Sequence, residues 1–144
     1  MVSGAQPVVL YWDASALVAL LVAQQRTAEA VEWSRRGRVH LLSSLAWAEA
    51  HAAVARLRRL GGLTDQQALA IHDLLQLPPW ERITDIPEWG VTVELALRWD
   101  LRGADLWHLA LAKSLQVSRA ELRLLSFDAR LADAAAGEGL APGS

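Results

Sequence analysis

With 144 residues, 53% of them hydrophobic, the chain suits one domain that buries about 68–70% of its unfolded surface. That apolar content and a formal net charge of -2 exclude an intrinsically disordered chain and leave no broad basic footprint for nucleic acid. Zero cysteines exclude disulfides, a thiol nucleophile, cysteine-held zinc and iron–sulfur clusters. No Lys or Arg precedes the first apolar run, which argues against a secretory leader. The apolar stretch 14–23 is too short to span a bilayer, so a soluble cytoplasmic protein without membrane contact is the expectation.

In chain order, residues 1–7 read as a loose start, and 8–12 as a buried strand that Asp13 ends. A short apolar helix follows over 14–22. A more amphipathic helix then runs to about Arg36, closed by Gly37. Residues 39–42 form a second strand. Ser43 or Ser44 caps a helix through Leu60, which Gly61-Gly62 stops. Thr64 and Gln67 form a capping box for the next helix, which ends before Pro78-Pro79. Residues 82–84 form a third short strand, and Asp85 with Glu88 marks a helix reaching about Trp99. A helix over 105–115, a strand over 122–125 and a helix over 128–136 complete the order, with 141–144 as a loose tail. Short apolar strands separated by helices predict an open, mostly parallel sheet with helices on its faces, in one domain over 1–144.

Four acids stand out against this pattern. Ligands of open parallel sheets gather beyond the carboxyl ends of the strands, where Asp13 and Asp128 fall. Each also reads as a cap for the helix that follows. Asp105 opens a helix whose dipole favours an acid, with His108 three residues on, as a metal or substrate contact or as a packed histidine. Glu49 interrupts a helix face lined by Ala46, Ala50 and Ala53, to reach into a crevice or to pair with Arg56 or solvent. Period two sets Ser126 and Asp128 on one side, with Phe127 pointing to the core. If the acids converge, their repulsion favours a divalent cation, and oxygen ligands without cysteine select Mg2+ or Mn2+.

The sequence lacks a Gly-rich phosphate loop, a dinucleotide fingerprint, a nucleophile elbow and a His-Glu-x-x-His zinc motif. Arg supplies 13 of the 14 positive residues, Lys113 being the single Lys. Among the seven Trp, Trp33, Trp89 and Trp99 fall in helical segments and are expected to pack elements together or to serve a subunit interface, and Trp80 to be partly exposed.

Four segments together resemble the PIN-domain ribonucleases, most nearly the VapC-like toxins of toxin–antitoxin pairs. They are Val9-Leu10-Tyr11-Trp12-Asp13-Ala14-Ser15-Ala16-Leu17, Ala48-Glu49-Ala50-His51-Ala52-Ala53, Ala104-Asp105-Leu106-Trp107-His108-Leu109-Ala110 and Leu124-Leu125-Ser126-Phe127-Asp128-Ala129-Arg130-Leu131. The resemblance implies a three-layer α/β/α fold with a short, mostly parallel central sheet. It implies an Mg2+-dependent endoribonuclease, with Mn2+ as a substitute, that hydrolyses RNA phosphodiesters by metal-activated water and leaves a 5'-phosphate and a 3'-hydroxyl. Asp13, Asp105 and Asp128 would be the principal metal acids. Glu49 would bind a second metal or hold a water, with Ser15, Ser126 and His108 in support. Arg102, Arg119 and Arg130 are the candidates for holding RNA phosphates. A homodimer and an antitoxin partner are implied as well. The alternatives are hydrolysis of DNA or a small phosphate ester, or a PIN-like binding scaffold without activity.

Overall fold

The computed structural model describes residues 9–143. The expected loose start over 1–7, the first residue of the expected strand over 8–12 and the end of the tail at 144 lie outside the described residues. The first strand, β1 (Val9–Trp12), leads through Asp13 into α1 (Ala14–Leu21), followed by α2 (Thr27–Arg36). Next come β2 (Val39–Ser43), α3 (Ser44–Arg59), α4 (Asp65–Leu75) and β3 (Trp80–Ile83). The chain closes with α5 (Trp89–Arg98), α6 (Gly103–Gln116), β4 (Leu122–Leu125) and α7 (Ala129–Gly137).

The four strands lie in the order β3-β2-β1-β4, and every neighbouring pair is parallel. Val9 stands opposite Val39 on one side and Leu122 on the other, so β1 is central. All four of its residues are buried, as a strand covered on both faces requires. Alternation then assigns the two cores. Leu10 and Trp12 join Leu42 with side chains of α1–α4, while Val9 and Tyr11 join Leu41 with those of α5, α6 and α7. These are the three α/β/α layers. The chain leaves β1 for β2 on one side and adds β4 on the other, so the order reverses at β1. The crevice beyond that reversal is where doubly wound sheets bind ligands. No helix among the described residues is long and apolar enough to cross a membrane.

Most helix starts follow local chemistry. Ser43 caps α3 by accepting from the Ala46 N–H at 3.1 Å, and Thr64 and Gln67 make the expected capping box on α4. Four expectations from the sequence differ from the structure. The third strand begins at Trp80 rather than 82 and is only half-buried, as an edge strand. The Asp85–Glu88 capping box does not form, and α5 starts at Trp89 with no side-chain cap. Pro87 explains this, since the residue before a proline is driven out of helical geometry. The sixth helix starts at Gly103, which makes Asp105 its third residue. Trp89 does not pack elements together: it is 85% exposed.

Candidate active site

Asp13 is 3% exposed, and its backbone N–H donates to the Leu125 carbonyl at 3.1 Å, which fastens the ends of β1 and β4 together. Its Oδ1 accepts from Ser15 Oγ at 2.7 Å and from the Ala16 N–H at 2.9 Å, and its Oδ2 accepts from Ser126 Oγ at 2.5 Å. The capping role is therefore real. Ser15 Oγ also accepts from the Phe127 N–H at 2.9 Å, and Ser126 Oγ from the Asp128 N–H at 3.1 Å. The two serines thus lace the β1–α1 corner to the β4–α7 corner. Burial pushes the Asp13 carboxyl above the usual range, while these hydrogen bonds and the nearby His108 act in the other direction.

Asp128 caps α7, its Oδ1 accepting from the Leu131 N–H at 3.0 Å. Phe127 packs against the core that Leu10 and Trp12 build. It is half-buried at the core's edge, with the Arg26 guanidinium 4.0 Å above its ring. Asp105 lies in the first turn of α6, where the helix dipole favours an anion. Its carboxyl is nevertheless raised above the usual range, first by burial, then by the charges of Asp128 and Asp13, with Glu49 adding to them and His108 opposing. Asp105 thus lies within electrostatic reach of Asp128, Asp13 and Glu49.

Glu49 reaches the same region from α3. It does not pair with Arg56: its Oε1 lies 2.6 Å from His108 Nε2. The other ring nitrogen, Nδ1, lies 2.6 Å from the Tyr11 hydroxyl. His108 is 1% exposed and stands edge-on to Tyr11 and to Trp107, so it works inside the wall rather than on the open face. Tyr11 went unnoticed in the sequence. The available signal was a hydroxyl in an otherwise apolar central strand, which needs a partner once buried.

Among the described residues, no three His, Asp or Glu side chains stand together as a ready metal cage. The donor chemistry still fits a hard divalent cation. Such an ion commonly keeps several waters and is held by only one or two carboxylates. Three of the roughly four acceptor positions of the Asp13 carboxylate are taken by hydrogen bonds, which leaves it room for one further partner.

A shallow groove of ≈ 580 Å³ runs past the starts of α3 and α6, lined by Ser44, Leu45, Ala48, Gly103, Ala104 and Trp107. Arg102 is the exposed residue just before α6 and flanks this groove. Arg130 lies in the first turn of α7, 3.7 Å from Asp100, with both side chains largely in solvent. Arg119 precedes β4, at the amino edge of the sheet, so the structure sets it apart from the acids. Arg26 was missed. It donates to the Phe127 carbonyl at 3.4 Å and pairs with Glu29 at 2.8 Å, beside the loop that carries Ser126 and Asp128.

The architecture is similar to a solved structure, that of VapC20 from Mycobacterium tuberculosis, described as a Sarcin-Ricin loop cleaving toxin. The similarity covers 87% of this chain and 94% of that one, at 15% sequence identity and a TM-score of 0.60. At that identity the likeness speaks for the fold alone. A comparison with curated proteins gives no match. The PIN domain family model matches residues 10–137, nearly the whole of the folded chain, and on that match the chain belongs to the PIN domain family.

Proposed function

We propose that the chain is a divalent-metal-dependent endoribonuclease, the toxin of a toxin–antitoxin pair. The observation that carries the reading is that Asp105 lies within electrostatic reach of Asp13, Asp128 and Glu49, beside the strand reversal. Asp13, Asp105 and Asp128 would hold Mg2+ or Mn2+, with Glu49 beside them. When bound, such an ion lowers the pKa of water and offsets charge on a phosphoryl oxygen. The chain's own residues do the rest. Ser15 and Ser126 fix the Asp13 carboxylate through both its oxygens. Asp105 presents a further carboxylate from the first turn of α6, and Asp128 one from the N-cap of α7. An open groove at the starts of α3 and α6, rather than a closed pocket, leaves room for an extended strand where a small ester would need enclosure.

The direct test compares structured RNA, unstructured RNA and matched DNA with Mg2+ present, using Asp105→Asn as the blank. Internal cuts bearing 5'-phosphates, absent from the blank, support the reading. Equal cleavage of DNA makes the protein a general nuclease. The absence of a three-ligand cage among the described residues favours one other reading, a binding scaffold without activity. Calorimetry with Mn2+ separates the two, since the scaffold predicts no binding that depends on Asp13 or Asp128.

The reading includes a homodimer. Along α5, Trp89, Val93 and Leu97 follow at four-residue spacing and are 85%, 61% and 84% exposed. Such a stripe is self-complementary about a two-fold axis at Val93, with Trp89 of one copy opposite Leu97 of the other. With Ile86 beside it, it forms an apolar centre for an interface of about 800 Å² per partner. Sedimentation should show a dimer that Val93→Asp dissociates. The antitoxin partner rests on the likeness to the toxin fold.

A further inference from the structure

The Tyr11, His108 and Glu49 side chains form a continuous line from the centre of β1, through α6, to α3. Two contacts of 2.6 Å in series, at the two nitrogens of one imidazole, are more than packing requires. We propose that Tyr11 and His108 are positioning residues for Glu49: the Tyr11 O–H donates to His108 Nδ1, and the His108 Nε2–H donates to Glu49 Oε1. What Glu49 is held for rests on the nuclease reading above; the hydrogen-bond chain does not.

The donor directions follow from the partners. An ionised carboxylate only accepts, so the nitrogen facing Glu49 must carry a proton. The opposite tautomer would set a lone pair of Nε2 against the carboxylate oxygen at 2.6 Å. With the ring proton on Nε2, Nδ1 becomes an acceptor, and the neighbour it meets is a phenol. Tyr11 is fully buried, and its hydroxyl faces a ring nitrogen that carries no proton, so it donates. The ring cannot easily turn, since it stands edge-on to Tyr11 and Trp107, with centroids 5.7 and 5.6 Å away. Glu49 itself is one-third exposed, on a helix face of small residues that would otherwise let it swing. The chain therefore converts a mobile surface glutamate into one with a fixed oxygen. Groups that orient a metal-binding or water-holding side chain commonly change metal affinity 10- to 100-fold when removed.

The test begins with the metal-free protein and nitrogen-15 NMR of its histidine rings. Wild type should show His108 protonated at Nε2, with Nδ1 unprotonated and hydrogen-bonded. In Tyr11→Phe the Nδ1 signal should move as it loses its hydrogen-bond donor, while the proton stays on Nε2 facing Glu49. A wild-type His108 protonated at Nδ1 overturns the proposal. Mn2+ titration then compares two variants whose folding is checked by circular dichroism. His108→Gln brings an amide N–H to the place of Nε2 and should bind within about threefold of wild type. His108→Asn reaches only the place of Nδ1 and should lose about tenfold. Equal losses point to packing alone, and equal retention shows that Glu49 needs no anchor; either result refutes the positioning role. Wild-type protein that binds no Mn2+ would sink the nuclease reading, and the NMR result would still decide the hydrogen-bond chain.

Discussion

Gly137 closes α7, and helix propensity alone favours Ala there by up to about 1 kcal/mol. Packing predicts the opposite sign. A Cβ on Gly137 would lie 2.4 Å from Trp99 Cη2 and 2.5 Å from Cζ2. Carbon atoms rest at roughly 3.5–4.0 Å, so the indole must retreat by about 1 Å. It is not free to do so. Trp99 Nε1 donates to Glu138 Oε2 at 2.8 Å, and the ring packs on the α5–α6–α7 core. Overpacking of this kind costs about 1–3 kcal/mol, and loosening the hydrogen bond to a charged group adds to it. A net loss of about 2 kcal/mol should lower the melting temperature by roughly 6–8 °C in a chain of this size. Gly90 in α5 is the control. Nothing lies within 4 Å of its Cβ position, so Gly90→Ala should be neutral or stabilising by up to about 1 kcal/mol. Urea unfolding followed by circular dichroism measures both. In a Trp99→Phe background, which removes the offending atoms, the Gly137→Ala penalty should shrink. Gly137→Ala as stable as wild type would refute the argument.

Three further outcomes are expected. Asp105→Asn should raise the melting temperature of the metal-free protein by relieving repulsion from Asp128 and Asp13, and should abolish stabilisation by added Mn2+, both read by calorimetric scans. Because Asp13 and Asp105 bind protons more tightly folded than unfolded, their contribution is fully present below the ordinary aspartate value of 3.8 and is lost as pH rises through their raised folded values. Glu138 has the opposite sign: its carboxyl is lowered by Trp99, Arg98 and Lys113, so its contribution is present above 4.5 and lost as pH falls through its folded value. A pH series on Asp105→Asn and Glu138→Gln should separate the two slopes. Finally, Glu138→Ala removes a two-point Arg98 contact at 3.0 and 3.1 Å, the Trp99 hydrogen bond and the Lys113 pair at 3.3 Å, and should cost about 3 kcal/mol in urea unfolding.

The parts of this fold that local chemistry controls were legible in the sequence. Three of the four apolar strands, the Thr64–Gln67 box and the Gly61-Gly62 stop appear where pattern put them, and acids just past strand ends pointed to the sheet's carboxyl edge. What stayed hidden depends on distant partners. Glu49 meets His108 across 59 residues and Tyr11 meets His108 across 97, and no spacing rule connects them. Reading Glu49 against its own helix produced the wrong partner, Arg56. The Asp85–Glu88 box failed because a proline inside the motif outweighed the capping signal. Arg119 looked close to Asp128 in sequence, yet the length of β4 separates them. The Glu138 hub was missed for the same reason: its partners come from 40, 39 and 25 residues away.

That hub gives the single lysine an unusual use. Lys113 donates to the Glu138 backbone carbonyl at 2.8 Å and is two-thirds covered. An amine-directed reagent therefore finds few competing side chains on a surface whose other cations are guanidinium groups. Acylation requires the amine to give up its Glu138 contacts, so its rate at Lys113 against that in Glu138→Gln, read by mass spectrometry, reports how firmly the end of α7 is held to α6. The same arrangement makes acylation of this one residue a way to weaken the carboxyl-terminal helix while leaving every acid of the candidate site chemically unchanged.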